Sequence, residues 1–258
     1  MGEQDMSVRI MQDSEANEYM PSTSRMSVRS TYELIRVTAM QDPERKAIAL
    51  LEDLKQSDRA VHLSYQALLN SIHQVANLLA DLGIEPKDVI ALLLPQLLET
   101  HLVLWGGQAA GIVCPIAPWL PVEQIVELLQ AAQAKMLVAP GPALSQELWQ
   151  KAEAVRREVR SITYMLQVRG PGKERDGIYA FDALLADYPS DRLNLEREIA
   201  SDDIAVSLPI KDTSRSPSLR SLTHSHLLDA AWTLSKVLTL TSAEVLLYGL
   251  LRFSQAWW

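Results

Sequence analysis

The chain has 258 residues, of which 48% are hydrophobic and 22% charged, a balance typical of a globular protein and not of a disordered one. Its formal net charge of −8 excludes the basic surface that nucleic-acid binding requires. The single cysteine, Cys114, excludes a disulfide framework within the chain and any metal site built on several cysteines.

The N-terminal segment, residues 1–30, is polar and shows no periodicity, so we expect a flexible tail. It lacks the apolar stretch of a secretory signal. The most apolar region, residues 89–120, is interrupted by polar residues and a proline, whereas a membrane span needs about 20 largely apolar residues. We therefore expect a cytoplasmic protein without a membrane span.

From residue 31 onward, short apolar runs alternate with longer segments of helical periodicity. Predicted strands cover residues 46–51, 61–63, 88–94, 112–116, 135–139 and 162–168. Predicted helices cover residues 32–35, 65–82, 97–109, 121–129 and 145–160. Ser64 is a suitable N-cap for the second helix, and Gly83 ends it. The continuous apolar run at 88–94 is typical of a parallel strand buried on both faces. The alternation predicts an α/β fold, a mostly parallel sheet covered by helices.

Two sets of chemically interesting side chains have structural interpretations. Cys114 lies in an apolar run, so we predict a buried side chain and not a nucleophile. His224 and His226 flank Ser225, but the sequence offers neither a third zinc ligand at a suitable spacing nor the elbow motif of a serine hydrolase. We interpret this site as a helix start that is capped by Thr223 or Ser225. No metal site is expected.

The segment before that helix carries a motif. Asp202-Asp203-Ile204-Ala205 is followed by a polar stretch at 211–219 and then by Thr223-His224. This order resembles the phosphate-loop region of the AMP-forming acyl-CoA synthetases, the adenylate-forming ligases. In that family an Asp-Asp-Ile-Ala strand leads into a Thr-Ser-Gly-Thr-Thr-Gly-x-Pro-Lys-Gly type of loop, and a Thr-His pair then opens a helix. The spacing matches without a gap.

The resemblance places the phosphate loop on residues whose chemistry has changed. The loop positions are Asp212, Thr213, Ser214, Arg215, Pro217 and Ser218, with Thr223 and His224 at the adjacent helix start. Asp212 and Arg215 replace loop glycines, and Ser218 replaces the lysine. Glycines let several backbone N–H groups converge on a phosphate, and a lysine adds charge-assisted hydrogen bonds of about 1.5–3 kcal/mol each. We therefore predict that this loop does not hold ATP.

Three earlier segments also resemble the family: residues 63–65, 82–92 and 107–118. With them the resemblance covers residues 31–253. It implies that residues 31–200 form the first α/β subdomain of an adenylate-forming ligase N-terminal domain, and that residues 201–258 begin a truncated second subdomain. The intact family uses ATP, magnesium and coenzyme A, but we expect none of them to be bound here.

The resemblance implies a parent reaction in fatty acid metabolism, in which a carboxylate and ATP give acyl-AMP and then acyl-CoA. We expect this chain to be a truncated, degenerate relative, a pseudoenzyme that is inactive alone. Two alternatives stay open, a non-catalytic binding or regulatory module and one part of a split synthetase. The apolar C-terminal segment, which includes a predicted strand at 245–250, suggests self-association or a partner polypeptide.

Overall fold

The computed structural model describes residues 28–50, 60–171, 176–210 and 218–241. Residues 1–27 of the predicted tail and the predicted strand at 245–250 lie outside these ranges. Ser30, which the sequence pattern assigned to the tail, is buried, and its hydroxyl accepts the N–H of Glu33 and caps the first helix. The first helix and its cap therefore begin before residue 31.

Helices and strands alternate along the described residues. The helices are α1 (Thr31–Gln41), α2 (Tyr65–Asp81), α3 (Leu98–Ala110), α4 (Val122–Ala131), α5 (Gln146–Glu158), α6 (Phe181–Leu185) and α7 (His224–Val237). The strands are β1 (Lys46–Leu50), β2 (Val61–Ser64), β3 (Val89–Leu92), β4 (Ile112–Pro115), β5 (Ala134–Pro140), β6 (Tyr164–Val168), β7 (Ile178–Ala180), β8 (Ile204–Ile210) and β9 (Ser218–Thr223).

Most strands join one seven-stranded sheet in the order β7-β6-β5-β3-β4-β8-β9. Every neighbouring pair from β7 to β8 is parallel, and β8 joins the sheet through the pairing of Val206 with Val113 of β4. Only β9 runs antiparallel, alongside β8. Strands β1 and β2 form a separate antiparallel pair. The predicted α/β fold with a mostly parallel sheet is confirmed.

The central strand β3 shows why the apolar run at 88–94 is continuous. All four of its residues are buried. Successive side chains of a strand point to opposite faces, and here Ile90 and Leu92 join one apolar cluster while Val89 and Ala91 join the other. Helices cover both faces, so the strand has no solvent side on which polar residues would be placed.

The last strand pair departs from the sequence-based expectation. We predicted a loop that leads directly into the Thr223-His224 helix start, whereas residues Ser218–Thr223 form β9 and pair with β8 over most of its length. Without β9, the main-chain groups along one side of β8 would have no partner in the sheet. The strand was missed because its two leucines, Leu219 and Leu222, do not alternate with the period of 2 that marks a half-buried strand.

The sheet continues across residue 200, because β8 and β9 pair into the same sheet as the strands at 89–180. The division into subdomains at 31–200 and 201–258 stays a prediction. Within the described ranges, no helix has both the length and the apolar character needed to cross a membrane.

Candidate functional site

The predicted phosphate loop follows β8, at the carboxyl edge of the sheet. Because β3, β4, β5 and β8 are parallel, their carboxyl ends meet at this edge, which is where open α/β sheets bind ligands. Residues 211–217 lie outside the described residues, and with them the predicted positions Asp212, Thr213, Ser214, Arg215 and Pro217. Both ends of the loop are described, and Ile210 pairs with Ser218 across the β8–β9 ladder.

Ser218 occupies the position at which the family resemblance has a lysine. It is the first residue of β9, and its hydroxyl oxygen is buried without a hydrogen-bond partner among the described residues. A serine hydroxyl carries no positive charge, and a buried polar atom without a partner costs about 1–3 kcal/mol. Ser218 therefore supplies no cation to this end of the loop.

Thr223 and His226 close the start of α7. The Thr223 hydroxyl accepts the N–H of His226 at 3.3 Å, and Nδ1 of His226 accepts the N–H of Thr223 at 3.2 Å. This reciprocal pair is a capping box, which satisfies N–H groups that would otherwise be free to bind an anion. The prediction that Thr223 or Ser225 caps this helix is confirmed for Thr223.

His224 is fully buried and contacts the start of α1. Its Nδ1 accepts the main-chain N–H of Thr31 at 3.3 Å and lies 3.1 Å from the Thr31 hydroxyl oxygen. That hydroxyl donates to Oε1 of Gln108, a buried residue of α3, at 2.8 Å. His224 therefore joins the first, third and last described helices.

The buried imidazole is held neutral. The pKa of His224 is lowered to about 4. Burial is the largest cause and the charge of Arg197 acts in the same direction, while Asp203 and the Gln108 main-chain carbonyl oppose them. Nε2 has no hydrogen-bond partner among the described residues, so the Gln108 carbonyl approaches the ring without a well-formed hydrogen bond. A neutral, enclosed ring of this kind packs between helices and is not available to substrate.

Asp203, from the Asp-Asp-Ile-Ala segment, lies beside His224. Its main-chain carbonyl accepts the His224 N–H at 3.1 Å, and its carboxylate accepts the Ala200 N–H at 3.0 Å and pairs with Arg197. Burial raises the pKa of the Asp203 carboxyl, but the hydrogen bonds from Ala200 and Arg197 and the charges of Arg197 and His224 outweigh it, so the net shift is downward. The two motifs at either end of the predicted loop are therefore in direct contact.

Thr223 and His224 could be found from the sequence pattern, but Thr31, Gln108 and Arg197 were not. Thr31 and Gln108 are 193 and 116 residues from His224 in the chain, and no periodicity or local motif marks either of them. Arg197 lies six residues before Asp203, with which it pairs. A basic residue at that short distance from the Asp-Asp motif was the only signal available.

Two other potentially reactive side chains, Cys114 and His73, have structural roles. Cys114 is fully buried, as predicted, and burial raises the pKa of its thiol to about 12. His73 contacts the Tyr32 hydroxyl at 3.0 Å and the Ser190 carbonyl at 2.8 Å. In the part of the chain that the structure describes, no group of three His, Cys, Asp or Glu side chains is placed to hold a metal ion.

The sequence matches the family of AMP-binding enzymes over residues 35–208, which is more than half of the chain. The chain belongs to this family. Marinolic acid–CoA ligase of Pseudoalteromonas sp. (strain SANK 73390) is 25% identical over 217 residues, which are 84% of this chain and 33% of the ligase. The chain thus spans about a third of the length of that relative.

Solved structures of similar fold are also CoA ligases. A protein of Rhodopseudomonas palustris CGA009 described as a long-chain-fatty-acid CoA ligase has a TM-score of 0.68 at 18% identity, over 83% of this chain and 49% of its own. The anthranilate CoA ligase AuaEII, in complex with anthranoyl-AMP, has a TM-score of 0.62 at 17% identity, over 79% of this chain and 36% of its own. At these identities the likeness shows the fold: the mixed α/β architecture of the ligases' N-terminal domain.

Proposed function

We propose that this chain is a non-catalytic member of the AMP-binding enzyme family, which keeps the N-terminal scaffold of an acyl-CoA ligase but does not form acyl-adenylate by itself. The observation that carries the proposal is Ser218, whose buried hydroxyl stands where the resemblance has the lysine of the phosphate loop. A protein that keeps the fold but has lost the reaction would show both the retained architecture and the changed loop chemistry.

The loop residues do not suit a nucleoside triphosphate and its magnesium ion. Phosphate loops bind anions with bare backbone N–H groups and a nearby cation. Asp212 adds a negative charge where the resemblance has a glycine, and Arg215 adds a side chain at the second glycine position. Arg215 is cationic, but at a different position from the lysine, and Ser218 removes the charge that the lysine would supply. These residues therefore do not support the formation of an acyl-adenylate.

The capping box of α7 supports the same proposal. The first N–H groups of a helix are a ready anion site only where they are unsatisfied. Here Thr223 accepts one of them from His226, within 3.3 Å. This N–H of α7 is therefore not available to a phosphate in place of the lost lysine.

Calorimetry of the full chain with Mg-ATP tests the proposal. We expect no binding tighter than about millimolar, an affinity near −4 kcal/mol. A variant that combines Asp212→Gly, Arg215→Gly and Ser218→Lys is the matched comparison, and we expect it to bind Mg-ATP more tightly than the natural chain. Micromolar affinity in the natural chain would overturn the proposal.

A second measurement tests for the reaction itself. Pyrophosphate release is assayed over a panel of carboxylic acids, with the chain alone and with the remaining part of a related ligase added as a separate polypeptide. We expect no release in either case. Release only in the mixture would make this chain one part of a split synthetase, and release by the chain alone would make it a complete adenylating enzyme.

A further inference from the structure

The second half of α7 exposes a row of apolar side chains. Leu234, Val237 and Leu238 are 49%, 73% and 48% exposed. Ala230 and Ala231 extend the row toward the start of the helix and are also exposed. Residues three and four apart lie on the same side of a helix, so these five residues form one surface, which we call the α7 stripe. Exposed apolar area of this kind favours burial against another segment, because burial removes it from water.

A tight turn ends α7. The N–H of Thr239 donates to the carbonyl of Lys236 at 3.2 Å, and the N–H of Leu240 donates to the carbonyl of Ser235 at 2.8 Å. Thr239 lies in the left-handed region, with φ of 50°. Together these form a Schellman motif, in which the residue after the helix adopts a left-handed conformation and two N–H groups beyond the helix donate to its last carbonyls. The turn ends α7 and brings Leu240 back beside Ser235.

The segment that follows this turn has the composition of a covering segment. Residues 242–258 carry only two charged residues, Glu244 and Arg252. Their apolar residues are Ala243, Val245, Leu246, Leu247, Tyr248, Leu250, Leu251, Phe253, Ala256, Trp257 and Trp258. Even as a helix, a segment of this size would extend about 25 Å at 1.5 Å per residue, longer than the roughly 21 Å of α7.

We infer that residues 242–258 pack back over the α7 stripe. The exposed row of Leu234, Val237 and Leu238 is the surface that they cover. The Schellman turn at Thr239 ends the helix just before this segment, which keeps the segment close to the row. The stripe is then an internal docking surface for the chain's own segment and not an interface for a second copy or for another protein. Because α7 starts at His224, this packing also stabilises the helix that borders the predicted phosphate loop.

Site-specific photocrosslinking in the full chain tests this inference. A benzophenone amino acid is placed at Val237, and the matched control carries it at Lys236, an exposed polar position on the side of α7 opposite the stripe. We expect irradiation of the Val237 variant to join the α7 peptide to a peptide from 242–258 within one chain, at a yield at least several times that of the Lys236 variant. Crosslinks between two chains would assign the stripe to self-association and overturn the inference. Crosslinks to any other segment, or none above the control, would also overturn it.

Thermal unfolding gives an independent test. Val237→Ser should lower the Tm of the full chain by about 2–4 °C, as expected for a loss of apolar packing in a domain of this size. The same substitution in a chain that lacks residues 242–258 should change the Tm by much less. Equal shifts in the two backgrounds, or no shift in the full chain, would show that the segment does not cover Val237. If the shortened chain fails to fold, the full-chain shift and the crosslinks still decide the matter.

Discussion

The guanidinium of Arg169 donates two hydrogen bonds to the carboxylate of Glu99, at 2.6 and 3.1 Å. Arg169 directly follows β6, and Glu99 lies in the first turn of α3. The main-chain N–H of Arg169 also donates to Asp182 of α6 at 2.6 Å. The side chain of Glu99 is only 14% exposed and that of Arg169 is 35% exposed, so the pair is partly shielded from water. It ties together connections at the carboxyl edge of the sheet.

Glu99→Gln should lower the free energy of unfolding by about 1–3 kcal/mol, because a half-buried guanidinium loses its charged partner. Urea unfolding measures the change. The control is Glu198→Gln, which breaks an ion pair with Arg29 whose side chains are 81% and 60% exposed. Exposed pairs contribute little, so the control should stay within about 0.5 kcal/mol. Equal losses in the two variants would contradict this prediction.

Leu92→Ala should cost about 2–5 kcal/mol, the usual range for truncating a buried leucine. Leu92 is 3% exposed in the central strand β3. Glu44→Ala, in the exposed turn before β1, should change the unfolding free energy by no more than about 0.5 kcal/mol. Chemical denaturation of both variants decides whether β3 is the core strand. A loss below about 1 kcal/mol for Leu92→Ala would be incompatible with its burial.

His224 predicts a pH dependence of stability. Its pKa falls from 6.5 to about 4 on folding, chiefly because of burial, so the folded state favours the neutral ring. Between these two values the unfolded chain takes up a proton that the folded chain does not, and the unfolding free energy therefore falls as the pH falls from 6.5 to 4. The full effect is about 3 kcal/mol. Urea midpoints at half-unit pH steps measure it.

The control for this pH effect is His224→Gln, which removes the titrating ring. Its unfolding free energy should be lower than that of the natural chain at pH 7, but should change less between pH 6.5 and 4. Asp203 does not account for the same window, because its pKa is shifted below its ordinary value of 3.8 and its contribution is lost only at lower pH. An unchanged pH profile in His224→Gln would show that other groups are responsible.

Substitutions at two residues with positive φ should change the free energy of unfolding in opposite directions. Thr239 has φ of 50° and is β-branched, so Thr239→Gly should raise the free energy of unfolding by about 1 kcal/mol. Gly83 has φ of 80°, and a Cβ there would meet no atom within 4 Å. Gly83→Ala should therefore lower stability by about 1 kcal/mol through backbone conformation alone. Thermal melts of both variants test the pair, and changes of the same sign would argue against it.

Features set by local pattern could be predicted from the sequence. The capping serine Ser64 accepts the N–H of Ala67 as expected, and the uninterrupted apolar run at β3 indicated a strand buried on both faces. Strand β9 could not be predicted, because its pairing depends on the neighbouring strand β8 and not on its own pattern. The site was predicted in part for the same reason: Thr223 and His224 follow a local motif, whereas Thr31 and Gln108 reach the ring only through the packing of α1 and α3.

The bond between Thr31 and His224 spans 193 residues of chain and so has a consequence for synthesis on the ribosome. The N–H of Thr31 has no imidazole acceptor until residue 224 has been made. The ribosome adds about 5–20 residues per second. Until then α1 lacks its attachment to α7, and a nascent chain halted before that point would exchange the Thr31 amide proton with water. Hydrogen exchange at this single amide therefore reports when the first described helix and the last become one structure.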